Sequence, residues 1–230
     1  MFLQKKIFYT ELAYVVGIIA LAFGTSLMEK AEFGMSMVVA PAYLVYLKVS
    51  DTLSWFTFGM AEYCLQALLI VILSLALRRF KIKFLFSFCT AVVYGFVLDF
   101  FMWLVKGIPS EGWIMRCVLF VLGLLLCSAG VAFLFHTYIA PEAYELVVKE
   151  ISDTYNKKIS RVKTVYDCTS CLIAVVLSFV FFGLWHFEGV KLGTVFCALV
   201  NGWIIGRISV FLENRLEFKD GLKNRGKHTA

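Results

Sequence analysis

The stretch Phe58–Leu77, FGMAEYCLQALLIVILSLAL, contains a single charged side chain, Glu62, in 20 residues. A helix needs roughly 20 mainly apolar residues to cross the hydrocarbon core of a bilayer. The segment that follows at once, 78–83 (RRFKIK), is rich in Arg and Lys, which is typical of a loop on the cytoplasmic side of a membrane. This part of the chain therefore predicts a membrane-spanning helix that ends on the cytoplasmic side.

The rest of the chain has the same character. Of its 230 residues, 61% are hydrophobic and only 17% are charged, whereas a soluble domain has about a quarter charged residues. This composition excludes a soluble enzyme, a nucleic-acid-binding domain and a disordered chain. Five more segments are long and apolar enough to span: Glu11–Met28, Phe84–Val105, Ile114–His136, Val165–Trp185 and Leu192–Leu212. We expect an all-α polytopic protein with six transmembrane helices in one membrane domain, 1–230.

Basic residues indicate the orientation of the helices. The net charge is +6, and the Lys and Arg residues cluster before the first predicted span and after the second, fourth and sixth. Alternate loops contain fewer of them, so all the clusters lie on one side. We therefore expect both termini to be cytoplasmic, with 213–230 as a basic cytoplasmic tail. We expect the protein to interact with the lipid bilayer through its spans, and we expect no nucleic acid partner.

Two apolar segments are too short to cross a membrane. Gly34–Val49 (GMSMVVAPAYLVYLKV) contains Pro41, and Pro141–Tyr155 (PEAYELVVKEISDTY) begins with a proline, which is common at the start of a helix. The first segment is typical of a half-helix or re-entrant segment. The second has one apolar face and is compatible either with a helix lying on the inner leaflet or with a half-helix equivalent to the first.

The two halves of the chain contain similar residues in the same order. Ala40-Pro41 matches Ala140-Pro141, the triplet 50–52 (SDT) matches 152–154 (SDT), and Glu62 matches Asp167. Three spans in each half would give the second half the opposite orientation, so the pattern predicts an inverted repeat with elements about 8–105 and about 114–212. Inverted repeats with interrupted helices are typical of secondary transporters. The alternative is chance similarity between apolar helices.

Polar residues within predicted spans are candidates for a binding site, because an ionisable group in a bilayer is costly unless it faces protein or water. The candidates for binding a substrate or a proton are Glu62, Asp99, Lys163, Asp167, Asn201 and Arg207. In a functional interpretation, Glu62 and Asp167 are symmetry-related gate or proton-coupling groups. In a structural interpretation, the carboxylates only tie helix ends near the headgroups, and Arg207 extends to the interface as an anchor.

Other features predict architecture rather than chemistry. Gly34, Pro41 and Pro141 are candidates for gate or half-helix positions, and Gly193, Gly202 and Gly206 for close helix packing. Cys168 and Cys171 have CxxC spacing but no second pair, so we expect no metal site, no cofactor and no disulfide framework. The sequence contains no nucleophile–His–acid set, no phosphate loop and no zinc signature, and we do not expect an enzyme.

Several segments resemble the YczE/YyaS/YitT-type bacterial membrane proteins. They are GTSLMEKAEFGMS (Gly24–Ser36), YGFVLDFFMWL (Tyr94–Leu104), KTVYD (Lys163–Asp167) and GVKLGT (Gly189–Thr194). The resemblance extends to about Phe211 and places Asp99, Asp167 and Gly202 on family positions. It implies a six-helix protein of the bacterial cytoplasmic membrane, and it implies no particular substrate.

Two functional hypotheses follow. The first is a secondary transporter or carrier of a small solute or ion, coupled to protons through the intramembrane carboxylates. The second is a membrane-embedded regulatory protein or a substrate-binding subunit of a larger transporter, with 141–155 as the docking surface for a cytoplasmic protein. A homodimer is compatible with either hypothesis.

Overall fold

The computed structural model describes residues 5–110, 112–183 and 190–221. Within them it contains eight α-helices and two short strands. In chain order they are β1 (Lys6–Tyr9), α1 (Thr10–Ala31), α2 (Ala40–Ser50), α3 (Phe58–Leu77), α4 (Ile82–Val105), α5 (Trp113–Phe135), α6 (Ala143–Tyr155), α7 (Ile159–Phe182), α8 (Leu192–Arg215) and β2 (Leu216–Lys219). Six of these helices are long and apolar enough to cross a membrane, namely α1, α3, α4, α5, α7 and α8. The prediction of an all-α polytopic membrane protein is confirmed.

The helix boundaries agree closely with the predicted spans except in α7. This helix begins at Ile159, whereas the hydropathy pattern placed its start at Val165. The prediction was wrong because it excluded the charged residues before Val165 from the span, yet the side chain of Lys163 is buried within the protein. The predicted end of this span, Trp185, lies outside the described residues.

The spans bury polar side chains on their inner faces and expose many large apolar side chains on their outer faces. On α3, Glu62 and Gln66 are fully buried, while Leu68 and Leu75 are 54% and 72% exposed. Lipid can solvate an exposed leucine but cannot hydrogen-bond a carboxyl or an amide group. The position of the polar residues on each helix therefore determines which face packs against the rest of the protein.

The central helix pair is α1 and α5, which cross at two pairs of glycines. Gly24 lies against Gly123, and a Cβ atom at Gly24 would come within 2.7 Å of the Gly123 carbonyl oxygen. Gly17 lies against Gly130 in the same way, at 3.0 Å. Glycines allow two helix backbones to approach closely, which drives helix association where no hydrophobic effect operates. Gly17 precedes Gly24 in α1 but contacts Gly130, which follows Gly123 in α5. The two helices are therefore antiparallel.

Corresponding helices of the two halves have equivalent surroundings. In the most apolar window, 56% of residues are buried in both α1 and α5, 28% in both α3 and α7, and 33% in both α4 and α8. Helix α1 packs on α4 as α5 packs on α8, and α3 packs on α4 as α7 packs on α8. Each short helix packs on one span of each half, because both α2 and α6 contact α3 and α7. This correspondence is what an inverted repeat of three plus three helices produces.

Helices α2 and α6 are half-helices. They have 11 and 13 residues, so at a rise of about 1.5 Å per residue each is too short for a bilayer core of about 30 Å. Pro41 is buried near the N-terminus of α2, whereas Lys48 near its C-terminus is exposed. In α6, segment 143–148 is buried and segment 153–155 is exposed. Each half-helix therefore begins inside the protein and runs outward.

The interrupted backbone before each half-helix is bonded by hydroxyl groups of neighbouring spans. Ser170 on α7 donates to the carbonyl oxygen of Met37 at 2.9 Å. Ser87 on α4 donates to the carbonyl oxygen of Pro141 at 2.6 Å, and Thr90 to that of Ala140 at 2.9 Å. Irregular backbone is tolerated at membrane depth where protein groups satisfy it in this way.

The two ends of the described chain meet. Strands β1 and β2 pair in parallel, with Lys6 opposite Leu216. We call this face of the protein the terminal side and the opposite face the distal side. Residues 213–219, expected to belong to a tail, continue α8 and form β2, and 222–230 lie outside the described residues. The short strands were not predicted, because each has only four residues.

Candidate functional site

The loop before α2 and the start of α6 line one small cavity beside a group of buried polar side chains. We call this group the polar cluster. Its members, each at most 4% exposed, are Glu62, Gln66, Glu142, Tyr144, Glu145, Lys163, Asp167 and Asn201. Helices α3, α6, α7 and α8 supply these residues, so the cluster joins the first half of the chain to the second.

One part of the polar cluster connects α3 to the start of α6. The side-chain nitrogen Nε2 of Gln66 donates to Glu142 Oε2 at 3.1 Å and to Glu62 Oε2 at 3.4 Å. The hydroxyl group of Tyr144 donates to the same oxygen of Glu62 at 3.0 Å. The side-chain oxygen Oε1 of Gln66 accepts a hydrogen bond from the backbone N–H of Ala143 at 2.9 Å and so caps α6. Gln66 thus binds two carboxyl groups and a helix end at once.

The other part surrounds the ammonium group of Lys163. Its Nζ lies 3.1 Å from Asp167 Oδ1, one turn along α7, and 3.3 Å from Glu145 Oε1 on α6. On the adjacent α8, Asn201 Oδ1 accepts a hydrogen bond from Ser128 of α5 at 2.7 Å. An ammonium group between two carboxylates is the arrangement that makes burial of a charge tolerable.

The polar cluster has more acidic than basic groups. It contains four carboxyl groups and one ammonium group, all buried. Among the described residues, Glu62 Oε1, Glu142 Oε1 and Glu145 Oε2 have no hydrogen-bond partner. A site with this surplus is suited to binding protons or other cations.

Within the part of the chain that the structure describes, two cavities lie near the half-helices. A central cavity of about 20 Å³, enough for one water molecule, lies between the loop before α2 and the start of α6. A larger distal cavity of about 270 Å³ is lined by Met28, Glu29, Glu32, Gly34, Met35, Tyr43 and Lys191. The two cavities share no lining residue.

The structure brings together four of the six predicted binding residues. Glu62, Lys163, Asp167 and Asn201 all belong to the polar cluster. Arg207 does not: it is exposed on α8, and its guanidinium group lies 5.5 Å from the centre of the Trp203 ring. This position corresponds to the interfacial anchor that the sequence left as an alternative.

Asp99 also lies apart from the polar cluster and ties two helices. Its carboxylate accepts the hydroxyl group of Thr57 at 2.8 Å and the backbone N–H of Gly59 at 2.9 Å. Thr57 in turn caps the start of α3 by accepting from the backbone N–H of Met60. Asp99 therefore holds the first turn of α3 against α4.

We predict a structural effect from replacement of Asp99. Asp99→Ala removes both acceptors and should lower the free energy of unfolding by about 1–2 kcal/mol, measured as a loss of thermal stability in detergent. Thr57→Val, which removes one of the two hydrogen bonds, should have a smaller effect. An Asp99→Ala protein as stable as the wild type would contradict this assignment.

The predicted gate and packing residues have distinct roles. Pro41 lies in the first turn of α2 and Pro141 precedes α6. Gly34 has a φ of +107°, and a Cβ atom there would come within 2.4 Å of Thr194 on α8, so both backbone conformation and space require glycine. Gly193 and Gly202 also allow close packing: a Cβ atom would lie 2.5 Å from Phe33 at Gly193 and 2.5 Å from Thr164 at Gly202. Gly206 has room for a Cβ atom.

Sequence analysis did not assign a binding role to four members of the polar cluster: Gln66, Glu142, Tyr144 and Glu145. Acidic residues such as Glu142 and Glu145 are favoured in the first turn of any helix, including an exposed one, so their presence alone does not indicate a buried site. The signal that could have identified them is the match of Ala140-Pro141 to Ala40-Pro41. If α6 is a half-helix like α2, its first turn lies inside the membrane, and acidic residues there become site candidates.

The CxxC pair does not form a site in the structure. Cys168 is exposed on α7 and Cys171 is buried, and the cysteines of the described residues are all free. Within the same residues, no group of three or more His, Cys, Asp or Glu side chains is arranged to hold a metal ion.

The fold and the polar cluster define a membrane protein of six spans, in which each of two inverted halves contains a half-helix and both halves supply side chains to the buried polar cluster. A family model described as a family of unknown function, DUF6198, matches residues 8–210, so the chain belongs to the DUF6198 family. No curated protein and no solved structure matches the chain.

Proposed function

We propose that this protein is a secondary carrier of a small solute, and that the polar cluster is its binding site. The observation that supports the proposal best is the small cavity between the loop before one half-helix, α2, and the start of the other, α6, beside buried ionisable groups. Transporters with inverted repeats place substrate and coupling-ion sites at such interrupted helices, near the middle of the membrane. A purely structural protein has no evident use for four buried carboxyl groups, which lower stability.

Symmetry supplies the transport mechanism in this proposal. The two halves have equivalent packing but opposite orientation, so the arrangement that closes one side has a counterpart that closes the other. In the described conformation the distal cavity reaches Met28 and Met35, while on the terminal side α6 packs against Ile70, Leu73 and Phe84. Transport would require α6 to separate from α3 and α4 while the loop before α2 closes the distal cavity.

Glu62 and Asp167 are the proposed coupling groups. They match one another in the repeat. Glu62 accepts a hydrogen bond from Tyr144 at the start of α6, and Asp167 pairs with Lys163, which also contacts Glu145 on α6. A proton or cation that neutralises them would change the attraction between each span and the half-helix it contacts. The same groups would therefore sense occupancy of the site and control closure.

Cysteine labelling in a variant lacking the native cysteines tests the proposal without knowledge of the solute. Met35→Cys lines the distal cavity, and Leu146→Cys lies in the packed face of α6. We expect a membrane-impermeant maleimide to label Met35→Cys from the distal side and Leu146→Cys from the terminal side. Adding Glu62→Gln should change the ratio of the two rates, because it alters the contact between α3 and α6.

Exposed positions provide the controls for sidedness. Trp55→Cys and Tyr155→Cys, at positions where the native side chains are 64% and 68% exposed, should react from the distal and terminal sides respectively, with rates insensitive to Glu62→Gln. A Leu146→Cys residue that stays unreactive across the pH range in which the protein is folded would contradict the carrier proposal.

A regulatory or docking role is the less supported alternative. It requires a free apolar face on α6, and that face packs against α3 and α4. Removal of this face would therefore disturb the fold before it disturbed a partner.

We also propose that the protein lies in the bacterial cytoplasmic membrane, as its resemblance to the YczE/YyaS/YitT-type proteins implies. The terminal side would then face the cytoplasm, which the Lys and Arg clusters on that side support.

A further inference from the structure

The central cavity is lined by more acidic than basic side chains: Glu142 and Glu145 face it together with Lys163, and the remaining lining is part polar and part apolar. Carboxyl, hydroxyl and amide groups line it, from Thr25, Ser36, Tyr94, Glu142, Glu145 and Asn201. Thr25 and Tyr94 share one hydrogen bond at 3.1 Å. Two of the lining carboxyl groups, those of Glu142 and Glu145, each have one buried oxygen without a hydrogen-bond partner among the described residues.

The ammonium group of Lys163 pairs with only one of the four oxygens of these two carboxyl groups. It lies between Glu145 Oε1 and Asp167 Oδ1 and forms no ion pair with Glu145 Oε2 or with Glu142. The donors to Glu142 Oε2 and Glu62 Oε2 are neutral amide and hydroxyl groups. A second positive charge in the cavity would meet oxygens that otherwise lose their hydration without compensation.

The positive end of the α6 dipole does not oppose a cation here. The backbone N–H of Ala143 already donates to Gln66, and Glu142 and Glu145 occupy the N-cap and first turn, where their charge offsets the dipole.

We propose that the central cavity binds one small ammonium-type cation, which donates N–H hydrogen bonds to Glu142 and Glu145. The chain itself shows the chemistry, since the Lys163 ammonium is bound by two carboxyl groups of the same cluster. The cavity volume of about 20 Å³ restricts the ion to the size of a water molecule, which fits ammonium itself. Binding of this ion does not depend on the proposed carrier function. Transport of the ion across the membrane does rest on it.

Thermal stabilisation of the purified protein in detergent tests the inference, with ammonium chloride as the probe. Potassium chloride is the matched control, because potassium has a similar size and no N–H. Tetramethylammonium chloride controls for charge without N–H groups, and all three are compared at one ionic strength and one pH. We expect saturating ammonium to raise the melting temperature by about 5 °C and the other two salts to have little effect.

Variants locate the bound ion. Glu142→Gln and Glu145→Gln should each abolish the shift caused by ammonium. Tyr94→Phe, which removes one hydroxyl group and keeps the ring, should weaken it several-fold in apparent affinity. Asp153→Asn, on the exposed part of the same helix, should leave the shift unchanged, which excludes a general effect of lost negative charge.

Three results would overturn the inference: no stabilisation by ammonium, equal stabilisation by potassium or tetramethylammonium, or a shift that survives in both Glu142→Gln and Glu145→Gln. The carrier proposal is tested separately. If Leu146→Cys labels from the terminal side but ammonium does not stabilise the protein, the carrier remains and the identity of its ion is wrong. If ammonium stabilises the protein and Leu146→Cys never reacts, the site remains and transport is wrong.

Discussion

Replacement of Lys163 by methionine is expected to lower the free energy of unfolding by about 3–5 kcal/mol, the usual cost of removing one partner from a buried ion pair. The Lys163 side chain is 1% exposed, and its ammonium group lies 3.1 Å from Asp167 and 3.3 Å from Glu145. Methionine has similar length but no charge, so both carboxyl groups would lose their only cationic partner within the polar cluster. The melting temperature in detergent should fall by about 6–20 °C.

The double variant Lys163→Met/Asp167→Asn separates loss of the charge pair from loss of packing. It removes one of the carboxyl groups that Lys163→Met leaves uncompensated, so it should be more stable than Lys163→Met alone. Lys157→Met, at an exposed position just before the same helix, should change stability by less than about 1 kcal/mol. A Lys163→Met protein as stable as the wild type would mean that the ion pair is not formed in the folded protein.

Substitution of Gly24 by leucine is expected to prevent the two halves from associating. The Cβ atom of the leucine would lie 2.7 Å from both the Gly123 carbonyl oxygen and the Cys127 backbone nitrogen. These contacts are too short, so the backbone of α5 would have to move. Overpacking against backbone should lower the free energy of unfolding by about 3 kcal/mol or more. We expect little folded monomer by size-exclusion chromatography, and a melting temperature lower by roughly 6–12 °C for any that remains.

Two other glycines provide matched controls for the Gly24→Leu variant. A Cβ atom at Gly107 meets no atom within 4 Å, and one at Gly206 meets only Ser160, at 3.6 Å. Gly206→Ala should be neutral or slightly stabilising, because alanine favours the helix by up to about 1 kcal/mol. Normal folding of Gly24→Leu would contradict the central position of the α1–α5 contact.

Hydropathy predicted the spans well because the requirement is local. Twenty apolar residues in one window suffice to identify a helix such as α3, whatever the rest of the chain does. The error at the start of α7 has the same origin: a local criterion excludes Lys163, although carboxyl groups one turn along α7 and on α6 make its burial tolerable. The charges that end a predicted span are thus the least reliable part of such a prediction when they have partners elsewhere in the chain.

The candidate site was only partly predictable, since it depends on contacts between distant segments. Glu62 and Asp167 were identified because each interrupts an apolar span. Glu142 and Glu145 do not interrupt a span, and only the packing of α6 against α3 and α7 shows that they are buried. Asp99 met the same sequence criterion as Glu62, yet its partners, Thr57 and Gly59, make it a tie between helix ends.

The sequence by itself determined the class of fold, the six spans, the two short helices and the inverted order of the halves, because the bilayer imposes length, polarity and charge rules on each segment separately. Tertiary structure alone decided which polar residues share a site. In lipid, a buried charge is stable only beside a partner, and in this protein some of those partners, such as Glu145 for Lys163 and Gln66 for Glu142, lie on other elements that only folding brings near.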